Sequence, residues 1–359
     1  MSLPFDPPQM AQRLLRWYGA KGRDLPWRQN RDPYCIWLSE IMLQQTGVVT
    51  VIPYYQRFLD KFPTLQQLAA APLDDVIQLW AGLGYYSRAR NLHKAAQQVM
   101  AEHSGVFPSQ LDDIQALPGI GRSTAGAILS IAFDQPAPIL DGNVRRVLVR
   151  LFAWRNDPRS SAAEKQLWQW AEQLTPPQQA HDYAQAIMDL GATVCTPRTP
   201  DCANCPLRAL CVAHQQGLAE TLPIKRKRAK APLRRQVALV VMSEQGLLMR
   251  QRPVEGFLGG LWELPAQELV SELEADVAAK RLMADLALNG SLQALGSLQH
   301  VYSHFKLELS LFVVEDIEAE TVAEDRGYVW RLYQSAPKQF PLHGAHLKAY
   351  ALWAKSVAL

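Results

Sequence analysis

Apolar residues in the first two thirds of the chain recur at helical spacing. Trp80 to Met100 and Ala125 to Ile131 are rich in Ala and Leu with that period, which predicts helices over both stretches. Phe62-Pro63, Ala71-Pro72 and Phe107-Pro108 interrupt the pattern, so many short helices are expected rather than a few long ones. One run, GLGYYSR (82–88), is too glycine-rich for a simple helix interior. Residues 1–222 therefore read as almost entirely helical. Beyond them the pattern changes. Gln236–Met242 (QVALVVM), Gly246–Arg250 and Leu307–Val314 (LELSLFVV) are apolar, β-branched and strand-like, and a helix is expected over Leu269–Leu288. Residues 236–359 are thus α+β. No internal repeat is found.

Between the two parts, Lys225 to Arg235 reads KRKRAKAPLRR, with seven basic residues in eleven. Such a run cannot bury a core, and residues 223–235 are expected to be a basic linker with phosphate contacts as a second role. A nuclear localisation signal would look similar.

At 359 residues, two domains are the natural expectation. A hydrophobic fraction of 48% with 20% charged residues is that of a globular chain. The first residues, MSLPFDPPQM, lack the basic and apolar regions of a signal peptide, and no uncharged stretch approaches the ~20 residues of a membrane span. A cytoplasmic, nucleoid-associated monomer that does not engage membranes is the expectation. The net charge of +3 hides an asymmetry: residues 1–235 carry 27 Lys and Arg against 19 Asp and Glu, and residues 236–359 carry 10 against 15. A polyanion would accordingly meet the first part.

Four of the five cysteines, Cys195, Cys202, Cys205 and Cys211, fall within seventeen residues with the spacing C-x6-C-x2-C-x5-C. Four thiolates so close together repel unless a metal centre holds them. Zinc ribbons offer two separated C-x2-C pairs, whereas this segment has one C-x2-C in a single compact loop, which favours a 4Fe–4S cluster over structural zinc. Cys35 lies in an apolar helical stretch and reads as a buried thiol.

Leu117 to Ile128 reads LPGIGRSTAGAI. Gly119 and Gly121 flank an apolar Ile120 ahead of a small-residue helix, an arrangement that brings backbone N–H groups against a phosphate at a helix N-terminus. It fits a helix–hairpin–helix DNA-binding motif, and equally a plain helix–helix turn. In PAPILDGNVRRVL (136–148), Asp141 ends an apolar run before a helix, so it is either an N-cap or a catalytic carboxylate. Glu40 sits in IWLSEIML (36–43) with Ile36 and Trp37 at i−4 and i−3 and Leu43 at i+3. A carboxyl in that company has little water, its pKa should rise, and it suits a general acid.

Taken together, LPWRQNRDPYCIWLSEIMLQQT (25–46), GLGYYSRARNLHKAA (82–96), the hairpin and the cysteine loop resemble the helix–hairpin–helix endonuclease III superfamily, and within it the adenine DNA glycosylases. The resemblance runs over almost the whole chain. It implies a six-helix domain and a cluster domain with DNA bound between them, followed by a Nudix-like domain that recognises 8-oxoguanine. Domains of 1–222 (cluster loop 195–211) and 236–359 follow.

The resemblance also implies roles. Ser123 stands where the lyases of the superfamily carry a nucleophilic lysine, so an enzyme that hydrolyses the N-glycosidic bond and does not nick DNA is implied. Glu40 would protonate adenine, and Asp141 would stabilise the oxocarbenium-like sugar, the division of labour that glycosidic cleavage calls for. Asn143 would orient the pair, Arg28 and Gln185 would touch the flipped base, and Gln45 and Tyr85 would enter the duplex. The partner would be double-stranded DNA with adenine opposite 8-oxoguanine or guanine. Tyr302-Ser303-His304 is similar to the loop that meets 8-oxoguanine in the family, with Tyr302 replacing a phenylalanine. Arg145 replaces a lysine of known relatives, and guanidinium is a poor amine nucleophile. Pyrophosphatase chemistry is not expected of the second domain. Six residues after Gly256, Gly259 and Gly260 stand Trp262, Pro265 and Ala266 rather than a glutamate, and no Arg-Glu-x2-Glu-Glu cluster follows. Two alternatives compete with this reading: a thymine or oxidised-pyrimidine enzyme of the same superfamily, and a cluster-bearing damage sensor without catalysis.

Overall fold

The computed structural model describes residues 3–224, 231–269, 274–315, 327–332 and 340–357. The chain packs as two compact units that are not contiguous in sequence, Met1–Ala71 with Asn91–Lys227, and Pro72–Arg90 with Arg228–Leu359.

The helices run α1 (Pro7–Lys21), a 3-10 turn (Pro26–Arg28), α2 (Pro33–Leu43), α3 (Val48–Lys61), α4 (Leu65–Ala70), α5 (Leu73–Trp80) and α6 (Ser87–Glu102). They continue as α7 (Leu111–Ala116), α8 (Arg122–Phe133), α9 (Gly142–Leu151), α10 (Ser161–Leu174), α11 (Ala180–Asp189) and α12 (Val212–Gln215), with a π turn at Leu190–Val194 and a 3-10 turn at Arg208–Leu210. Side-chain caps start many of them. Asp6, Asp32, Thr64, Asp141 and Ser160 each accept a backbone N–H of the first turn that the helix itself leaves unpaired.

One continuous helix from Trp80 to Met100 does not form. Trp80 ends α5, and Gly82, Gly84 and Tyr85 then take φ of 96°, 77° and 51°, in the left-handed region that a helix cannot accommodate. The core of the first unit joins α1, α8, α9, α10 and α11 through residues such as Met10, Leu14, Ile131, Leu148, Leu167 and Ile187.

In the second unit the strands are β1 (Leu233–Ser243), β2 (Gly246–Gln251), β3 (Trp262–Glu263), β4 (Ala266–Glu268), β5 (Ser291–Val301), β6 (Lys306–Glu315) and β7 (Tyr328–Arg331). Helices α13 (Ala275–Asp285) and α14 (Gly344–Ser356) complete it. The sheet order is β3-β2-β1-β6-β5, with β4 also on β1 and β7 also on β2. β1 pairs parallel with β6 and antiparallel with β2 and β4, so the sheet is mixed. Val237–Val241 is buried on both faces: Val237, Leu239 and Val241 pack on α13, and Ala238 and Val240 lie on the side of α14. That double burial is why the sequence there is continuously apolar rather than alternating.

β1 begins at Leu233, so Leu233, Arg234 and Arg235, counted with the linker on composition, belong to the sheet. Residues 225–230 of the basic run lie outside the described residues. The expected helix over Leu269–Leu288 is shorter, α13, and residues 270–273 also lie outside the description. β5 and α14 were not foreseen. Most of β5 is at least partly exposed, which blurs its alternation, and α14 carries its apolar positions among lysines and alanines.

Two glycines separate packing from propensity. A Cβ on Gly126 in α8 would fall 2.4 Å from the carbonyl oxygen of Pro138, on the segment that leads to Asp141, whereas one on Gly19 in α1 would meet nothing within 4 Å. Gly126→Ala should therefore destabilise the protein by about 1–3 kcal/mol. Gly19→Ala should stabilise it by roughly 0.5–1 kcal/mol. Urea midpoints of the two variants check both signs.

Candidate active site

α2 has no polar face. Tyr34 through Ser39 are buried, as are Ile41 and Met42. Glu40 alone in its middle keeps some surface, and that surface opens on a cavity of about 590 Å³ within the first unit. Ser123, Asp141, Asn143, Arg28, Gln45 and Gln185 line the same cavity. Seven residues singled out on sequence thus meet in one place. Burial pushes the Glu40 carboxyl up to about 7; the nearby Asp141 charge adds to the shift and Arg28 opposes it.

Asp141 takes the N-cap position that its sequence allowed and also lines the cavity. It caps α9, its Oδ1 accepting the Val144 N–H at 2.7 Å, and it faces the cavity. Asn143 Nδ2 donates to its Oδ2 at 3.1 Å. Burial raises the Asp141 pKa, while the Val144 and Asn143 hydrogen bonds and the Arg146 charge pull it the other way. Of the two carboxyls, Asp141 has the donors that suit an anion, and Glu40 is the one placed to hold a proton. Ser123 Oγ accepts the Leu140 N–H at 2.9 Å, tying α8 to the segment before Asp141.

Arg28 reaches the cavity, but its terminal nitrogens are already occupied. Nη1 and Nη2 each donate to a carboxylate oxygen of Asp189 at 2.8 Å, and Nη1 also donates to the Arg23 carbonyl. Arg23 shares that carboxylate through Nε, Nη2 and its own backbone N–H. Asp189 is fully buried; burial raises its pKa, and the bonds from the two arginines outweigh that and hold it below the usual range. Gln185 is buried, with Nε2 donating to His181 Nε2 at 2.9 Å. His181 Nδ1 lies 2.6 Å from the Ile131 carbonyl, so the ring carries its proton on Nδ1.

Sequence reasoning missed Asp189, Arg146 and Arg150. Asp189 had the same signal as Glu40, an acid in an apolar run (AIMDLG), and it went unread. Arg146 joins the cavity to the cysteine loop: Nη2 donates to Asn143 Oδ1 at 2.9 Å and to the Gly191 carbonyl at 2.6 Å, and Nε donates to the Cys195 carbonyl at 2.7 Å. Gly191 presses on Asn143 so closely that a Cβ would lie 2.6 Å from the Asn143 Cβ. Arg145 points elsewhere, pairing with Glu164 at 2.6 Å and donating to the Pro158 carbonyl at 2.9 Å.

Hydrogen-bond donors surround the sulfurs of the cysteine loop. Buried Arg150 donates from Nη1 to Cys195 Sγ at 3.2 Å, the Leu207 N–H points at Cys205, and the N–H groups of Ala213 and His214 point at Cys211. Among the described residues no three His, Cys, Asp or Glu side chains converge as they would on a single metal ion. The four cysteines nonetheless feel one another's charge, which together with burial pushes the Cys205 thiol up to about 12.

In the hairpin between α7 and α8, Gly119 takes φ 79°, and a Cβ there would lie 2.8 Å from the Asn91 Cβ. Gly121 has φ −90° and open space where a Cβ would be, so its smallness leaves the start of α8 uncovered rather than relieving strain. In the second unit, Ser303 and His304 are exposed, and Ser303 Oγ donates to Tyr85 Oη at 3.0 Å. Tyr302 is half-buried, with its hydroxyl 3.0 Å from His343 Nδ1.

Residues 38–173 match the family described as HhH-GPD superfamily base excision DNA repair protein, and residues 236–352 match the NUDIX domain. The chain is 39% identical to the adenine DNA glycosylase of Rattus norvegicus, over 90% of this chain and 75% of that one. It is similar to the solved structure of a thermostable thymine-DNA glycosylase, with TM-score 0.54 and 30% identity, over 58% of this chain and 97% of that one. It is also similar to a non-covalent endonuclease III–DNA complex, with TM-score 0.50 and 25% identity, over 60% of this chain and 99% of that one.

The raised Glu40 pKa has a signed consequence for stability. A carboxyl whose folded pKa, about 7, exceeds its unfolded value near 4.5 stabilises the fold at low pH and loses that contribution as pH rises through 7. Glu40→Gln removes the titration. The variant should gain on the wild type by up to a few kcal/mol between pH 5 and pH 8, read as the difference in urea midpoints at the two values. A pH-independent difference would mean that Glu40 titrates normally.

Proposed function

The chain belongs to the adenine DNA glycosylase family of base excision repair, within the HhH-GPD superfamily, and from that membership we propose that its cavity takes an adenine flipped out from opposite 8-oxoguanine or guanine and releases it by hydrolysis. The observation that carries the mechanism is the pairing of Glu40, with its pKa near 7, and Asp141, held by hydrogen-bond donors, on one enclosed space.

Glu40 gives its proton to N7 of the bound adenine. The C1′–N9 bond then breaks with its electron pair going to the base, and positive charge develops on the sugar. The Asp141 carboxylate meets that charge, as an ion pair or a transient ester. Water adds its oxygen at C1′ and returns a proton to Glu40, leaving an abasic site. Asn143, fixed between Asp141 and Arg146, orients the carboxylate. Ser123 offers no amine for a Schiff base, and the Arg145 guanidinium is engaged with Glu164 and Pro158, so the strand is left unbroken.

Extruding a base costs a few kcal/mol of stacking and pairing. Gln45 and Tyr85, the residues assigned to fill the gap, both hold left-handed backbone, at φ 59° and 51°. Bulky residues adopt that conformation where the surrounding structure imposes it, often at functional turns. The open hairpin at Gly121 leaves N–H groups for a phosphate. Ser303 and His304, exposed on the Nudix-like domain, meet the opposite base. Cys195, Cys202, Cys205 and Cys211 would hold a 4Fe–4S cluster, which when bound supplies a redox-capable metal knot and takes no part in the hydrolysis. Their donors, Arg150 and the Leu207, Ala213 and His214 amides, support that assignment.

Single-turnover cleavage of a duplex with adenine opposite 8-oxoguanine should yield strand breaks only after alkali, and its rate should fall as pH rises through about 7. Glu40→Gln should lower that rate at least about 100-fold with lesion binding nearly intact. Breaks without alkali would refute the hydrolytic assignment, and joint loss of binding and rate would make Glu40 structural. Cys202→Ser should lose the brown absorbance of a cluster together with soluble yield or DNA affinity; a colourless variant with full activity would remove the cluster from the account.

A further inference from the structure

Residues 72–90 pack with the C-terminal residues, and their contacts form a closed ring. Arg90, in the first turn of α6, donates from Nη1 to the Gly259 carbonyl at 2.7 Å and from Nη2 to the Gly256 carbonyl at 3.5 Å. The turn that presents those oxygens depends on glycine. Gly256 and Gly260 have φ 92° and 76°, and a Cβ on Gly259 would lie 2.2 Å from the Val254 carbonyl oxygen. Phe257, inside the turn, stands edge-on to Tyr302 at 5.2 Å and packs on Phe305 at 5.4 Å. Next to Tyr302, Ser303 reaches the Tyr85 hydroxyl, and Tyr85 leads directly into α6, where the Arg88 N–H donates to its carbonyl at 2.8 Å. A second strut, Gln251 Nε2 to Asp74 Oδ1 at 3.0 Å, ties β2 to α5.

We propose that Arg90 is a positioning residue that couples the loop reading the opposite base to the side chain entering the duplex. The proposal rests on the roles given above to Tyr85, Ser303 and His304. A hydroxyl–hydroxyl bond between two exposed residues competes with water and fixes little by itself. Arg90 is half-buried and grips two carbonyls with a planar fork, so it sets the distance between the Gly256–Gly260 turn and the Tyr85 turn from the far side. Phe257 passes that setting to Tyr302 and so to Ser303. A base that engages Ser303 then acts on Tyr85 through one connected frame rather than through a lone hydrogen bond.

Hydrogen exchange on the free protein tests the ring without DNA. In Arg90→Ala the Tyr302 amide, bonded to the Phe305 carbonyl at 2.9 Å and remote in sequence, should exchange faster by about three- to thirtyfold. Arg90→Lys should fall between, and Phe257→Ala should speed the Arg88 amide in the same way. Acceleration confined to the first turn of α6 would overturn the ring. In single-turnover assays, Arg90→Ala should reduce the rate ratio for adenine opposite 8-oxoguanine over adenine opposite guanine by the same three- to thirtyfold. Equal losses on both duplexes, or an unchanged ratio, would overturn the coupling. A wild type with no preference between the duplexes would instead refute the base-reading assignment, and exchange would still decide the ring.

Discussion

A carboxyl placed on a helix without a polar face has to be accommodated by everything around it. α2 is buried along nearly its whole length, so Glu40 can meet water only through the cavity. Its burial is the largest cause of its raised pKa, and nearby positive charge opposes that shift. Arg28 is the threat, since a free guanidinium at that position would draw the carboxyl back toward ionisation. Asp189 answers it by taking both terminal nitrogens of Arg28 and sharing itself with Arg23. The triad carries a net positive charge, and Arg28 still opposes the raised Glu40 pKa. A fully buried aspartate with two arginine partners thus engages both terminal nitrogens of Arg28, the cation that opposes the upward shift at Glu40.

The opposite carboxyl is managed by backbone. Capping α9 aims the Asp141 oxygens at N–H groups and fixes its direction at the cavity wall. Asn143 is held in turn by Arg146, which also holds two carbonyls, those of Gly191 and Cys195. Because Gly191 has no Cβ, the turn after α11 can come up against Asn143 and complete that grip. The cysteine loop is therefore connected to the cavity wall through the Gly191 and Cys195 carbonyls and one guanidinium, which also holds Asn143. Loop folding and carboxylate orientation become one problem here.

Much of this was legible in the sequence, for physical reasons that differ from residue to residue. Glu40 announced itself because an acid among apolar residues on every side violates the helical pattern. Asp141 was visible because a cap before a periodic segment has a fixed grammar. The cysteine spacing is a charge argument and needs no fold. Asp189 carried the Glu40 signal and could have been found. Arg146 and Arg150 could not, because their partners are mostly carbonyls, which leave no mark in a sequence. In the second domain the doubly buried β1 and the alternating β6 were plain, whereas exposed β5 and the alanine-rich α14 lacked a clear period.

Composition also places the domain boundary in a different place from packing. The change from helical to strand pattern near residue 230 says where the grammar changes, not which helices serve which sheet. α5 has the same apolar period as its neighbours in the chain, yet Ile77 lies where a Cβ on Gly260 would come within 2.8 Å of it, and Arg90, beyond the glycine-rich turn, closes on Gly259. Both contacts involve glycine backbone on the receiving side, and glycine backbone has no periodicity to read. A segment whose partner is bare main chain can be assigned to a domain only in three dimensions. Here that assignment moves the residue proposed to enter the duplex into the unit that carries the residues proposed to read its opposite base.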